Sequence, residues 1–394
     1  MREIKAIASK SDAHRALICA ALSKNPCKVI MDTTSKDIEA TKRCLENLKC
    51  GQKEFYCGES GSTLRFLLPV VAALGIETYF YPEGRLPQRP LSPLYEEMIA
   101  HGCSLSKPGC VPFIVKGQLT PGDFTIPGNV SSQFISGLLF ALPLLNNDSK
   151  IFIAGNLQSE DYIKMTIDTL SRFGIEIKKT AKGYFVKGNQ KYISPDVYKV
   201  EGDWSNAAFF LAAGAFIEDG ITVTNLNPDS VQGDKKIVKL LNEFGAYVTT
   251  SGTSVTVKPG KLKGIDIDAS QIPDMVPALS VIAAGAEGTT KIYNAGRLRI
   301  KESDRLKTVR TVIENLGGNV KELEEGLVIK GTGTLKGGNA ASFNDHRIAM
   351  MAAVASLICK DKVKIEGSEA VNKSYPDFYK HMEMLDLNVN LERD

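Results

Sequence analysis

The stretch Asp203-Trp204-Ser205-Asn206-Ala207-Ala208-Phe209-Phe210-Leu211-Ala212-Ala213 sets a polar, cap-like start against a run of small and apolar residues with no polar face. A helix that is apolar all round has to be buried all round. The same design recurs five more times. Ser9-Lys10-Ser11-Asp12 leads into residues 16–22, Gly61-Ser62-Thr63 into 67–74, and Ser131-Ser132-Gln133 into 138–142. Pro273-Asp274 leads into 276–284, and Asn344-Asp345-His346-Arg347 into 348–354. The starts fall at 9, 61, 131, 203, 273 and 344, so after a first interval of 52 residues the spacing holds at 70 to 72. Spacing that regular marks an internal repeat.

Between the apolar runs lie β-rich, Gly-punctuated stretches such as Ile151-Phe152-Ile153-Ala154-Gly155, residues 221–224 and residues 255–257. Amphipathic helices such as residues 162–173 fill much of the remainder. Each repeat therefore reads as a mixed α/β module, and six of them make two domains of three. A chain of 394 residues is also too long for one comfortable core.

With 43% hydrophobic and 24% charged residues the composition is that of an ordinary globular protein. A net charge of +3, with no separate basic arm, argues against nucleic acid as a partner but leaves small anions open. None of the eight cysteines forms a CxxC pair, so no metal site is expected. Met1-Arg2-Glu3-Ile4-Lys5 reads as a charged strand rather than a signal peptide, and no apolar run reaches the roughly 18 residues of a membrane span. A reducing, cytoplasmic setting follows as the simplest expectation.

The first N–H groups of a buried helix must meet side chains, a cleft or a ligand. If the buried helices of each domain run parallel, their starts share one face, which the helix dipoles make attractive to anions. Lys10, Arg15, Arg65 and Arg347 recur at or near those starts. The run Arg297-Leu298-Arg299-Ile300-Lys301-Glu302-Ser303-Asp304-Arg305 carries six charges in nine residues. Taken alone it reads as a solvated helix face. Alternatively Lys301 and Arg305, four apart on one helical face, grip an anion while Glu302 handles protons.

Further motifs are Ser9-Lys10-Ser11-x-x-x-Arg15, Gly58-x-x-Gly61-Ser62-x-x-Arg65, Gln88-Arg89-Pro90-Leu91, Ser131-Ser132-Gln133-Phe134, Ser159-x-x-Tyr162, Pro273-Asp274 and Lys373-Ser374-Tyr375-Pro376-Asp377. With these in order, the sequence resembles the 5-enolpyruvylshikimate-3-phosphate synthase family over essentially its whole length. The resemblance implies a two-domain inside-out α/β barrel, built of six βαβαββ repeats, three per domain. It implies a discontinuous domain, residues 1–8 plus 202–394, an inserted domain, 9–201, and an active site in the cleft between them. The implied reaction joins phosphoenolpyruvate to the 5-hydroxyl of shikimate 3-phosphate and releases phosphate through a tetrahedral intermediate. No metal or organic cofactor is implied, and the protein is expected to act as a cytoplasmic monomer, with the two small anions as its partners and glyphosate as a competitor.

By motif match, Lys10, Ser11, Arg15, Ser131, Ser132, Gln133, Ser159, Asp274 and Lys301 would meet shikimate 3-phosphate. Lys10, Gly61, Arg89, Gln133, Arg305, Arg347 and Lys373 would hold phosphoenolpyruvate, where arginine's planar fork suits carboxylate or phosphate. Asp274 would act as base on the 5-hydroxyl and Glu302 as acid toward the methylene, with Lys301 and Lys10 beside them. The plain readings are that the serines and Asp274 are helix caps and Gly61 a conformational convenience. Because the anchors are split between the halves, closure on substrate binding is expected.

The sequence departs from the family pattern at Ile7-Ala8, at Phe66 and at Arg297, none of which removes a charge that the chemistry needs. One competing reading is the enolpyruvyl transferase acting on UDP-N-acetylglucosamine. That family carries Lys-Asn near its start and a loop cysteine, whereas here Ser11 follows Lys10 and residues 81–91 hold no cysteine. The other is a non-catalytic binding protein for anionic metabolites, which would be expected to have lost Asp274, Lys301 or Glu302.

Overall fold

The computed structural model describes residues 2–387 and 391–393. Its contacts separate the chain into two units, Lys10–Val200 and a second made of Met1–Ser9 with Glu201–Asp394.

The chain opens with β1 (Arg2–Lys5), α1 (Lys10–Leu22), β2 (Lys28–Ile30) and α2 (Lys36–Lys49). Next come β3 (Glu54–Gly58), α3 (Gly61–Ala73), β4 (Thr78–Pro82), α4 (Leu94–Ala100), β5 (Cys103–Leu105) and β6 (Phe113–Gly117). The pattern repeats in β7 (Asp123–Pro127), α5 (Ser132–Ala141), β8 (Ser149–Ala154), α6 (Glu160–Arg172), β9 (Ile177–Thr180) and β10 (Gly183–Val186), before β11 (Val197–Lys199). The remaining half runs α7 (Trp204–Gly214), β12 (Ile221–Thr224), α8 (Ile237–Phe244), β13 (Tyr247–Ser251) and β14 (Ser254–Lys258). Then follow β15 (Asp266–Asp268), α9 (Val276–Gly285), β16 (Glu287–Tyr293), α10 (Arg305–Asn315), β17 (Asn319–Leu323) and β18 (Gly326–Thr332). The last elements are β19 (Gly338–Ala341), α11 (His346–Ala355), β20 (Val363–Glu366), α12 (Phe378–Met384) and β21 (Leu391–Arg393).

Four modules have the full βαβαββ form. Their sheets order as β3-β4-β6-β5, β7-β8-β10-β9, β15-β16-β18-β17 and β1-β12-β14-β13. In each, the first two strands are parallel and a hairpin adds antiparallel to the second. The other two modules are shorter than the six-fold sequence pattern implies. β11 and β2 form a two-stranded parallel sheet, and β19-β20-β21 are parallel throughout. No hairpin follows α2, because the chain passes from Lys49 almost directly into β3. That missing hairpin accounts for the short first interval of 52 residues.

The two crossings exchange leading strands. β1 pairs with β12 and so leads the module of α7, while β11 pairs with β2 and leads that of α1. The backbone N–H of Ser9 donates to the Glu201 carbonyl at 2.7 Å, and that of Asp203 to Ile7 at 2.8 Å.

The apolar runs become the buried helices. α7 and α11 are buried along their whole length, and α3, α5 and α9 each leave only one residue half-exposed. α7, α9 and α11 pack against one another inside their unit, with strands β12, β14, β16, β18, β19 and β20 around them. At about 1.5–3 kcal/mol per fully buried Phe or Leu, residues such as Phe209, Phe210 and Leu211 make these helices the core of the unit. α1 is less enclosed, with its outer residues half-buried, as its two-stranded sheet would leave it.

In Lys10–Val200, α3 and α5 pack closely against each other. Pro69 lies inside α3 and carries no N–H, so the Arg65 carbonyl lacks its usual partner four residues on. Gly137 of α5 closes on that carbonyl: a Cβ there would stand 2.4 Å from the Arg65 oxygen and 3.0 Å from the Pro69 ring. The absent side chain is what lets the two helix starts lie side by side.

Candidate active site

In the unit containing α7 to α12, four helix starts meet through their side chains. Arg305, at the first turn of α10, is 1% exposed and surrounded by carboxylates. Its Nε donates to Asp345 Oδ2 at 2.8 Å, Nη1 to Asp274 Oδ1 at 2.8 Å and Nη2 to Glu302 Oε2 at 2.7 Å. Asp345 is fully buried at the N-cap of α11, where it also accepts from the Arg347 N–H and the Ser303 hydroxyl. Arg347 in turn reaches Ser205 Oγ at the start of α7 (2.7 Å) and the Asp274 carbonyl before α9 (3.1 Å). A buried charge is tolerable only when paired and hydrogen-bonded, and here every cation has a carboxylate or carbonyl.

Asp274 sits in a 3-10 turn, Pro273–Met275, rather than at the N-cap of α9, which is Met275. Lys301 Nζ lies 3.3 Å from its Oδ1, and Arg347 Nη2 lies 3.5 Å from its Oδ2. Burial works to raise the Asp274 pKa, but Lys301, Arg347 and Arg305 outweigh it and hold the carboxyl well below the ordinary carboxylate range. Burial pushes Lys301 down to about 8, against the pull of Asp274. Lys373 Nζ donates to the Asn344 carbonyl at 2.6 Å, next to the cap of α11. Phe343 and Asn344 hold φ of 54° and 55° there, a strained pair of non-glycine residues ahead of a helix start.

In the Lys10–Val200 unit a second set gathers at α3 and α5. Arg65 Nη1 donates to Gln133 Oε1 at 2.8 Å and Nη2 to the Pro90 carbonyl at 2.9 Å. Gln133 Nε2 donates to Ser62 Oγ at 3.0 Å, so the two helix starts are laced together. Gly61 faces two guanidiniums: a Cβ on it would stand 2.9 Å from Arg89 Nη1 and 3.6 Å from Arg65 Nη1. Ser131 caps α5 by accepting from the Gln133 N–H, with Ser132 following it in the first turn. Ser159 holds φ 55° at the start of α6 and its hydroxyl makes no cap, so the plain cap reading fails there. Arg15 is buried and held in place: it donates to Thr166 Oγ1 at 2.8 Å, to the Tyr162 and Ser11 carbonyls, and lies over the Phe66 ring. Lys10 Nζ, at the start of α1, is paired with Asp37 Oδ2 at 2.9 Å.

Each unit thus gathers cations at its helix starts, the kind of arrangement that suits small anions, and one of the two sets includes a carboxylate faced by three cations. The sequence profile of the family described as EPSP synthase (3-phosphoshikimate 1-carboxyvinyltransferase) matches residues 51–382. A 3-phosphoshikimate 1-carboxyvinyltransferase of Clostridium acetobutylicum is 46% identical, the match covering 98% of this chain and 96% of that one. One from Clostridium novyi is 44% identical over 97% and 94% of the two chains.

This chain belongs to the EPSP synthase family.

The fold agrees with that: an EPSP synthase structure from Acinetobacter baumannii superposes with a TM-score of 0.79 over 97% of this chain and 94% of the other, at 23% identity. As an EPSP synthase family member the chain is a transferase with a mixed α/β fold. Among the described residues no helix is long and apolar enough to cross a membrane.

Of the expected residues, Asp274, Lys301, Glu302, Arg305 and Arg347 are in direct contact with one another, and Lys373 joins them through the backbone before α11. Gly61, Arg89 and Gln133 meet around Arg65. The charged run 297–305 is not one helix. Gly296–Ile300 is a 3-10 turn and α10 begins only at Arg305, because the Asp304 side chain accepts from the Lys307 N–H and caps it there. Lys301 and Arg305 therefore converge through Asp274 rather than by lying on one helical face. Arg299 is absorbed structurally, by Asp304 at 3.0 Å and Glu322 at 2.7 Å.

Sequence reasoning passed over Asp345, Ser205, Asp37 and Asp234. Asp345 lies within the motif at 344–347, and its position three residues before an apolar run is its only signal. Asp234 is buried beside Ser205; burial, then the charge of Asp274, pushes it up to about 6 against the pull of Arg347. Nothing in its local sequence announces that.

Proposed function

We infer that this chain transfers the enolpyruvyl group of phosphoenolpyruvate to the 5-hydroxyl of shikimate 3-phosphate and releases phosphate. The observation that carries the reading is Asp274, a carboxylate held ionised by Lys301, Arg347 and Arg305 at the meeting of helix starts. Full-length similarity to named 3-phosphoshikimate 1-carboxyvinyltransferases supports the substrate pair.

Both substrates are polyanions, and residues of both units act on them. Lys10, Ser11, Arg15, Ser131, Ser132, Gln133 and Ser159 meet shikimate 3-phosphate, together with Asp274 and Lys301. Gly61, Arg89, Gln133, Arg305, Arg347 and Lys373 meet phosphoenolpyruvate, with Lys10 between the two. At rest Asp274 is a weak base because its cations are spent on it. Substrate carboxylate and phosphate compete for Lys301 and Arg347, which raises the basicity of Asp274 when the 5-hydroxyl is in place. Glu302 delivers a proton to the methylene carbon, C2 takes the 5-hydroxyl oxygen, and Asp274 takes the hydroxyl proton. The tetrahedral intermediate then returns a methyl proton to Glu302 while phosphate leaves with the proton held on Asp274, forming the enol ether and restoring both carboxyl groups. Arg305, tied to both carboxylates, keeps the acid and the base in a common frame.

The setting proposed is a monomer in a reducing cytoplasm, in keeping with eight cysteines that are all free thiols. Purified protein is expected to release phosphate only when shikimate 3-phosphate and phosphoenolpyruvate are supplied together. Turnover with UDP-N-acetylglucosamine in place of shikimate 3-phosphate, and none with the expected pair, would overturn the reading.

A further inference from the structure

A buried chain of hydrogen bonds runs to the start of α3 from a histidine with no other assignment. His14 Nδ1 lies 2.7 Å from Thr41 Oγ1, Thr41 Oγ1 lies 2.6 Å from Thr63 Oγ1, and the Thr63 hydroxyl donates to Ser60 Oγ at 2.7 Å. His14, Thr41 and Thr63 are fully buried and Ser60 is 1% exposed. These four residues come from α1, α2, α3 and the N-cap of α3.

The direction of the chain follows from counting hydrogens. A hydroxyl has one hydrogen to give. Thr63 gives its own to Ser60, so in the pair with Thr41 it must accept, and Thr41 must donate. Thr41 has then spent its hydrogen, so His14 Nδ1 must carry one and donate. His14 is thereby set as the Nδ1–H tautomer, and its Nε2 is a bare lone pair. That atom is buried with no hydrogen-bond partner among the described residues, consistent with a nitrogen that holds no proton. At the far end Ser60 Oγ accepts twice, from the Thr63 hydroxyl and the Thr63 N–H. Its own hydrogen is not used by any acceptor among the described residues, and Ser60 directly precedes Gly61, the residue that faces Arg89 and Arg65. Had His14 carried its hydrogen on Nε2, every bond would reverse and Ser60 would spend its hydrogen inward on Thr63.

We propose that His14 is a positioning residue: by donating to Thr41 it sets the polarity of the Thr41–Thr63–Ser60 chain, so that the Ser60 hydroxyl gives its hydrogen to an anionic oxygen of phosphoenolpyruvate at the start of α3. This rests on the reading that the Gly61–Arg89 end of the unit takes that substrate. Burial, together with the cationic Lys10 and Arg15, keeps His14 from taking a second proton, which would put an N–H where no acceptor exists.

Two measurements test it. Two-bond ¹H–¹⁵N spectra of protein labelled at histidine, with His14→Asn for assignment, are expected to show His14 protonated on Nδ1 and bare on Nε2. The opposite tautomer overturns the proposal whatever the enzyme's activity. In steady-state kinetics, His14→Leu and Thr41→Val should each raise KM for phosphoenolpyruvate about tenfold, the worth of one hydrogen bond to a charged group. KM for shikimate 3-phosphate should change less than about twofold, and the double variant should be no worse than either single one, since the chain acts as a unit. His14→Asn, whose amide N–H₂ replaces the Nδ1 donor, should restore most of the loss. A lowered melting temperature with both KM values unmoved, or both raised alike, overturns it. Should wild-type protein fail to turn over the substrate pair, the functional reading fails, and the tautomer still decides the direction of the chain.

Discussion

Asp274 and Glu302 are bridged by one guanidinium: Arg305 gives Nη1 to the first at 2.8 Å and Nη2 to the second at 2.7 Å. The two carboxylates proposed to move protons are thus held in a fixed mutual geometry by a residue that is itself anchored on buried Asp345. A guanidinium suits this because its fork is planar and its charge does not titrate.

Asp274→Asn keeps an acceptor for Arg305 but removes the base and the charge. The turnover number is expected to fall by about 10²–10⁴-fold, the usual contribution of general base catalysis. Asp274 also holds the Lys301 pKa up against burial, so the Lys301 value should drop below its present level of about 8 in the variant. A turnover number within tenfold of wild type would remove Asp274 from the chemistry.

The pH profile follows from Lys301. Burial has pushed its pKa down to about 8, and binding an anion needs the ammonium form. kcat/KM for shikimate 3-phosphate is therefore expected to decline as pH rises through about 8. Lys301→Arg, which stays charged, should move that alkaline limb upward even if the plateau falls. For stability the sign is opposite. The folded pKa lies below that of the unfolded chain, so the penalty is fully present below about pH 8 and fades as pH rises from there toward the unfolded value of roughly 10.4.

Asp345→Asn retains a good N-cap for α11 while removing the carboxylate that faces Arg305. Both groups are essentially inaccessible, at 0% and 1% exposure. Breaking a fully buried pair costs about 3–5 kcal/mol, and because Asp274 and Glu302 still face Arg305 the loss should lie at or below the lower end of that range. Chemical denaturation should show that loss, with Asp304→Asn, a cap at the exposed start of α10, costing far less.

Most of the architecture was legible because a helix apolar on all sides has few places to go. The run at Asp203-Trp204-Ser205 and its counterparts gave the buried helices, and their spacing gave the modules. Two kinds of feature were not legible. The missing hairpin after α2 shows in sequence only as a short interval, whose cause needs the strand pairing of β11 with β2. In the site, Lys301 and Arg305 were expected together for a helical reason, yet they meet through Asp274, which is far from both in sequence. Asp234 and Asp37 act by proximity to residues on other elements, and nothing in their own neighbourhoods carries that signal.

Acid should weaken the fold through His14. Burial, with Lys10 and Arg15 adding to it, holds its pKa well below the ordinary histidine value. The stabilising contribution of the neutral ring is present above the unfolded value of roughly 6.5 and is lost as pH falls toward the folded pKa, by about 1.4 kcal/mol per pH unit. Comparing melting curves at several pH values down to 5.5, wild type should lose ground against His14→Asn, which does not titrate there. Parallel curves would contradict the assignment.

Two glycines should respond differently to the same added methyl. At Gly61 a Cβ meets the far end of a flexible side chain, Arg89 Nη1 at 2.9 Å, which can swing aside. At Gly137 it meets a backbone carbonyl, Arg65 O at 2.4 Å, and the Pro69 ring, neither of which can move without parting α3 from α5. Gly61→Ala is therefore expected to leave the melting temperature nearly unchanged and to raise KM for phosphoenolpyruvate about tenfold, because the displaced guanidinium no longer reaches its ligand. Gly137→Ala should cost about 1–3 kcal/mol of stability through overpacking, with KM affected only as the start of α5 and Gln133 shift. Equal stability losses at the two positions would mean that Arg89 is as rigidly held as the helix backbone, and that it could not adjust to a bound anion.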